Sequence, residues 1–477
     1  MIRTRFAPSP TGSMHIGNLR TALYTYLIAK NKGGKFVLRI EDTDQVRFVE
    51  GATEIIYNTL KTMGLLHDEG PDVGGNYGPY TQSERIGSYM KYAVELVESK
   101  KAYYCFCTKE RLETLTDEKQ DIMQYDRHCL SLNDEEIKKN LDNNTAFVIR
   151  QIIPEGSTTF VDEGFGEITV DNATLDDQVL IKSDGFATYN FANVIDDHLM
   201  EITHVVRGSE YLSSTPKYNL LYEAFEWKVP IYVHLPLIVN QDGAKMSKRR
   251  GDGSVEDLMA EGFLPEAILN YIALLGWSPA NNQEVFSLEE LTKVFDTKRI
   301  SKSPSAFDIV KLTWFNGEYF KKMDSDEFFK LSENIVKASV KKACVDCKKL
   351  SDMVKSRISF VKEIPELLDF IDALPEYSTK AYIHKKMKTT EENSLISLKE
   401  ALEVLKSQED FSEKSLHDAV FELIEKMEIK NGLMLWPLRA ALSGKESSPC
   451  GAIELLEILG KEESLRRIEK GIKMLSK

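Results

Sequence analysis

The sequence predicts an α/β protein with a parallel sheet, split by an α+β insertion and followed by an all-α C-terminal region. Three observations lead there. The N-terminus holds an apolar run, a helical apolar stripe and a second apolar run, the order of one parallel β-α-β unit of Rossmann-like type. Between residues 103 and 177 this gives way to a cysteine pair, a charged helical stretch and short strands punctuated by glycine, after which the α/β style resumes. Beyond residue 251 the pattern is mainly helical. At 477 residues the chain has room for about three or four domains.

Residues 2–6 give the first strand, which Pro8 and Pro10 end. Gly12 and Gly17 let backbone approach a ligand, and Leu19, Ala22, Leu23, Tyr26 and Leu27 form one buried face of a helix that Gly33-Gly34 stops. His15 sits in the turn before that helix. Helix starts leave N–H groups unpaired at the positive end of the macrodipole, so this turn suits a phosphate, to which His15 can add a donor. Phe36-Val37-Leu38-Arg39-Ile40 is the second strand and delivers Glu41-Asp42-Thr43-Asp44 to its carboxyl end, where open α/β sheets bind ligands. Helices follow at about 50–63 and 82–101, with a Gly-Pro and Gly-Gly loop between. Residues 180–182 and 187–191 return to the α/β style, residues 202–207 form a strand ending at Gly208-Ser209-Glu210, and residues 235–239 form one more. Charged helices begin near residue 320, the first at 324–340. The last helix has a buried seam of Leu465, Ile468, Ile472 and Leu475, and Arg466-Arg467 reads as a solvated face.

The formal charge of −14 excludes a uniformly basic surface but not local basic patches that steer RNA. No run approaches the roughly 18 apolar residues of a membrane span, so a cytosolic protein is expected. The six cysteines, at 105, 107, 129, 344, 347 and 450, are too sparse for a disulfide scaffold. Cys344-x-x-Cys347, in a lysine-rich helical stretch, reads as helix-surface thiols.

Lys245-Met246-Ser247-Lys248-Arg249, with Arg250 and bracketed by Gly243 and Gly251, is a cationic loop. Paired with the His15 turn it supplies what nucleotidyl transfer needs. Attack of a carboxylate on the α-phosphorus of ATP builds charge on phosphoryl oxygens and leaving pyrophosphate, which ammonium groups, imidazole and Mg²⁺ stabilise. Lys248 is the candidate for the leading cation. The sequence contains neither a P-loop nor G-x-G-x-x-G.

His15-Ile16-Gly17-Asn18 and Lys245-Met246-Ser247-Lys248-Arg249 resemble the two signatures of class I aminoacyl-tRNA synthetases. The bacterial-type glutamyl-tRNA synthetase family is nearer still. Its blocks resemble residues 5–12, 39–44, Tyr77-Gly78-Pro79-Tyr80-Thr81-Gln82-Ser83-Glu84-Arg85, Tyr103-Tyr104-Cys105-Phe106-Cys107, 308–316 and 436–444, so the likeness spans the chain. Asn18 stands for the second His of the first signature and Arg249 for the final Ser of the second. Both lysines are kept. The resemblance implies a Rossmann-like catalytic domain in two halves, residues 1–102 and 179–242, around an acceptor-binding insertion at 103–178. A loop and stem-contact domain at 243–322 and a helical anticodon-binding domain at 323–477 follow.

It further implies a glutamate–tRNA ligase, a cytoplasmic monomer. Such an enzyme makes glutamyl-adenylate from ATP with Mg²⁺ and L-glutamate and charges tRNA-Glu, with tRNA-Gln open. Family members generally need tRNA for the activation step. Carried over residue by residue, the catalytic groups are His15, Lys245 and Lys248. ATP meets Thr11, Gly12, His15, Gly17, Asn18, Glu210, Leu237, Ile238, Met246, Ser247 and Lys248. Glutamate meets Arg5, Ala7, Ser9, Glu41, Tyr189, Asn193 and Arg207. Glu41 suits the ammonium and Arg207 the side-chain carboxylate, the alternative for Arg207 being an ion pair at a strand end. Cys105, Cys107 and Cys129 with Tyr125 or His128 resemble the zinc site of some members, the alternative being free thiols. Glutaminyl-tRNA synthetase is the nearest other reading within the class. A small-molecule nucleotidyltransferase is the reading from outside it.

Overall fold

The Arg3–Phe6 strand is buried along its whole length and accordingly pairs inside a sheet. The structure, a computed structural model, describes residues 1–43, 49–117, 122–123, 125–244, 246, 254–341 and 346–477. Asp44, Lys245, Ser247, Lys248, Arg249, Arg250, Gly251 and Cys344, all singled out in the sequence, lie outside the described residues. Contact clustering divides the chain into Met1–Leu312 and Thr313–Lys477.

The first unit is built on a six-stranded sheet in the order Lys35–Leu38, Arg3–Phe6, His204–Gly208, Ile231–Leu235, Ser157–Asp162, Gly166–Asp171. The first four strands are mutually parallel, so their carboxyl ends share one edge. The second strand stops at Leu38, yet Arg39 N donates to Phe6 O at 3.0 Å and Glu41 N to Pro8 O at 3.0 Å, keeping 39–41 beside the first strand. The helices expected at 50–63 and 82–101 are Ala52–Thr62 and Ile86–Glu98, the latter entered through a 3₁₀ turn at Gln82–Arg85.

One strand expectation is corrected. Residues 235–239 are not one strand: Ile231–Leu235 belongs to the main sheet, Pro236 brings no N–H, and Ile238–Val239 pairs instead with Ser305–Ala306. Residues 187–191 lead into the helix Tyr189–Leu199. The stretch read as an insertion divides its strands. Ala102–Cys105, Val148–Gln151 and Val179–Ile181 form a separate antiparallel sheet, while the Ser157–Asp162 and Gly166–Asp171 hairpin extends the main sheet through Asp162 opposite Tyr232.

The second unit is helical, its longest helices being Ser325–Ser339, Glu391–Ser407 and Lys461–Leu475. The seam of Lys461–Leu475 differs from the expected one. Ser464, Arg467, Ile468 and Gly471 are buried, whereas Leu465, Ile472 and Leu475 are half-buried. Arg467 is therefore no solvated cation: its guanidinium donates to Leu442 O at 2.6 Å, Ile371 O at 3.1 Å and Glu463 Oε1 at 2.6 Å. Gly471 makes the close approach possible, since a Cβ there would overlap the Tyr382 hydroxyl. Among the described residues no helix is long and apolar enough to cross a membrane.

Arg466 hydrogen bonds first, with Arg467 adding and burial opposing, hold Glu463 down from 4.5 to about 2. A depressed carboxyl stabilises the fold above its unfolded value and loses that contribution as pH falls through its folded one. The melting-temperature gap between the wild type and Glu463→Gln is therefore expected to be full above pH 4.5 and to close as pH approaches about 2. Thermal melts across that range check it.

Candidate active site

The carboxyl ends of the parallel strands surround a cavity of about 470 Å³. The first strand brings Arg5, Ala7 and Ser9 to it, the turn beyond brings Thr11, His15, Gly17 and Asn18, and the second strand's extension brings Glu41. Arg207 and Glu210 arrive from the third strand, Leu237 and Ile238 from beyond Pro236, and Tyr189 from a helix start. Gly12 and Asn193 are not among the lining residues.

One wall is a buried charge network. Asp197 accepts from Arg5 Nε at 2.9 Å and Arg39 Nη1 at 2.8 Å, while Glu41 Oε1 accepts from Arg39 Nη2 at 3.0 Å and Asn193 Nδ2 at 3.1 Å. Asn193 also accepts from Arg5 Nη2 at 3.3 Å, so it braces both charged groups from behind. Burial raises Asp197, but Arg5 and Arg39 outweigh it and hold the carboxyl below its ordinary range. Burial raises Glu41 as well, and there the two guanidiniums do not fully compensate. Glu41 Oε2 is buried without a hydrogen-bond partner among the described residues. In a cavity wall, such an oxygen is an acceptor for an incoming cation.

Arg207 is the opposite case. It is 5% exposed, yet among the described residues it has no carboxylate partner, so it is not the strand-end ion pair. Its Nε donates to His234 Nε2 at 3.1 Å, its Nη2 to Thr215 Oγ1 at 2.8 Å, and its plane lies 4.4 Å over the Tyr218 ring. Stacking and neutral acceptors retain the charge without neutralising it.

His15 caps the helix Ile16–Asn31. Its Nδ1 accepts from Gly17 N at 3.0 Å, so one helix-start N–H is already used and a neutral ring carries its proton on Nε2, as a donor. The Glu210 carboxylate folds back over the Cα of Gly208, where a Cβ would displace it. Met246 is buried against the cavity. Val255 N donates to Met14 O at 3.0 Å and Glu256 accepts from Met14 N, tying the chain after the cationic loop to the residue before His15.

A second cluster lies in the insertion. The thiols of Cys105, Cys107 and Cys129 lie within 4.8 Å of one another. The Tyr125 hydroxyl is 3.2 Å from Cys105 Sγ and 3.4 Å from Cys107 Sγ, whereas the His128 side is exposed. Of the two oxygen or nitrogen donors the sequence left open, Tyr125 is the one among the thiols.

A family model for the catalytic domain of class I tRNA synthetases (E and Q) matches residues 1–314, and one for an anticodon-binding domain matches residues 318–472. The chain belongs to the class I tRNA synthetases of the E and Q type. Proteins named glutamate–tRNA ligase from Clostridium kluyveri and Clostridium novyi are each 58% identical to it, over 99% of this chain and 98% of theirs. A crystal structure of a glutamate tRNA ligase from Elizabethkingia meningosepticum in complex with its amino acid superposes with TM-score 0.83 at 37% identity, covering 99% of both chains.

In this synthetase the structure brings six of the seven residues carried over from the resemblance, Arg5, Ala7, Ser9, Glu41, Tyr189 and Arg207, to one cavity with the His15 turn, while Asn193 lies behind them. It adds groups that sequence reasoning passed over. Asp197 was visible only as the residue four positions after Asn193, on the same helix face. Arg39 is fully buried, and Arg20 bridges Leu275 O and Pro236 O beside the cavity.

Because Asp197 joins two buried guanidiniums, Asp197→Ala is expected to cost about 3–5 kcal/mol in urea unfolding. A cost below about 1 kcal/mol would contradict the network's role.

Proposed function

We propose that this chain is a glutamate–tRNA ligase: it activates L-glutamate with ATP to glutamyl-adenylate and transfers glutamate to the 3′ end of tRNA-Glu. One observation carries the substrate assignment, namely that the residues around the cavity include a buried, carboxylate-free Arg207 and a Glu41 whose buried Oε2 has no hydrogen-bond partner among the described residues. A dicarboxylic amino acid supplies both missing partners. Its ammonium meets Glu41 and its side-chain carboxylate meets Arg207, with Arg5, Ala7, Ser9 and Tyr189 along the wall and Asn193 behind. Glutamine would leave the buried Arg207 charge unpaired, which favours the glutamyl over the glutaminyl reading.

The α-carboxylate is then free to face ATP. A carboxylate oxygen attacks the α-phosphorus, the bond to the bridging oxygen breaks, and pyrophosphate leaves with that electron pair. His15 Nε2–H donates to a phosphate oxygen, Gly17 and Asn18 lie at the helix start, and Thr11 and Gly12 lie in the turn before it. Leu237 and Ile238 flank the adenine, Glu210 the adenosine. Lys245 and Lys248 supply cations to the leaving pyrophosphate while Met246 and Ser247 contact ATP, a reading supported by Met246 on the cavity wall and by the Met14–Val255 tie. Class I synthetases use ATP with Mg²⁺, which neutralises phosphate charge. In the second step a ribose hydroxyl at the tRNA end attacks the acyl carbonyl and AMP leaves.

The insertion receives the acceptor end and the helical unit reads the anticodon. Three thiols and a phenol fit Zn²⁺, a borderline-soft ion that takes four ligands, so Cys105, Cys107, Cys129 and Tyr125 would hold it as a structural ion. About one zinc per chain is expected by elemental analysis, falling well below half in Cys107→Ser. Zinc-free protein from a chelator-free preparation would contradict the site.

Pyrophosphate exchange tests the activity. Exchange is expected with glutamate only when tRNA-Glu is present, and none under any tRNA supply would overturn the reading. Exchange without tRNA would favour a small-molecule nucleotidyltransferase. Lys248→Ala is expected to lower kcat by about 100-fold or more. Charging of tRNA-Glu and tRNA-Gln side by side decides the tRNA range, and light scattering tests the monomeric state we expect of a cytoplasmic enzyme.

A further inference from the structure

The orientation of Arg207 has a source outside the substrate cavity. Asp162, at the end of a strand from the inserted hairpin, is 1% exposed and has both oxygens filled. Oδ1 accepts from Gly164 N at 2.9 Å and Phe165 N at 2.8 Å, and Oδ2 accepts from His234 N at 2.9 Å and His234 Nδ1 at 2.7 Å. A carboxylate so surrounded by donors is an acceptor only, so the His234 proton on that side belongs to Nδ1. Nε2 of the neutral ring then presents a lone pair, and Arg207 Nε donates to it at 3.1 Å. With Nη2 on Thr215, two edges of the guanidinium are fixed, and Nη1 has no partner among the described residues.

We propose that Asp162 and His234 are positioning residues that fix the Arg207 guanidinium and so set selectivity for glutamate over glutamine. This rests on Arg207 meeting the side-chain carboxylate. Bidentate recognition depends on the plane of the fork, so a guanidinium free to rotate on its stem loses directional preference while keeping its charge. The chain of bonds starts at the Asp162–Tyr232 pairing, where the hairpin joins the sheet, and ends in the substrate cavity.

Glutamate kinetics in three variants test it. His234→Asn keeps a donor toward Asp162 but lacks the acceptor for Arg207. It is expected to raise KM for glutamate about 10- to 100-fold and to raise the glutamine-to-glutamate ratio of kcat/KM, leaving KM for ATP unchanged. His234→Gln restores an acceptor at the Nε2 position without the donor toward Asp162 and is expected to recover part of the loss. Arg207→Ala is the control: if it leaves KM for glutamate unchanged, the assignment of Arg207 to the carboxylate fails. If Arg207→Ala raises KM while His234→Asn does not, the positioning inference alone fails. Equal loss in His234→Asn and His234→Gln, with KM for ATP also rising, would indicate a merely structural histidine and overturn it. Nitrogen-15 NMR of the wild-type imidazoles is independent of any variant's folding: His234 is expected as the Nδ1–H tautomer, and the Nε2–H tautomer would contradict the chain of bonds.

Discussion

The structure of the catalytic unit depends on the ion network of Arg5, Arg39, Asp197 and Glu41. Its members come from the first strand, the end of the second and the helix after the insertion, so it joins the two halves of the split sheet at the edge where ligands bind. Two cations and two anions balance, which is why burial is tolerated there. An apolar replacement of similar volume could match its stability but would not provide the unpartnered Glu41 Oε2.

That open oxygen and the carboxylate-free Arg207 are both polar groups left incomplete by the fold, and each is held in place by different means. Glu41 is gripped through its other oxygen by Arg39 and Asn193. Arg207 is stacked on Tyr218 and tied to His234 and Thr215. Pre-organisation of this sort leaves little side-chain entropy to lose on binding, and it makes a misfitting neutral side chain costly.

Local pattern carried much of this. The first β-α-β unit and the His15 turn were legible because strand, turn and helix signals are short-range, whereas the grouping of Arg5, Glu41 and Arg207 came only from the resemblance to the family. What was not legible depends on pairing between distant segments. The hairpin at 157–171 reads as part of the insertion, and nothing in its own residues says that it will cover the edge beside Tyr232. Pro236 was hidden in an apolar run that two different sheets share. Buried charges were the hardest: Asp197 and Arg467 look like any charged helix residue until their distant partners arrive.

A crystal structure with L-glutamate bound is the most direct test of the two-ended pocket. The side-chain carboxylate is expected within hydrogen-bond distance of Arg207, the ammonium on Glu41 Oε2, and the α-carboxylate toward the His15 turn. Glutamate lying the other way, with its side-chain carboxylate at the His15 helix start and Arg207 without an acidic partner, would contradict it.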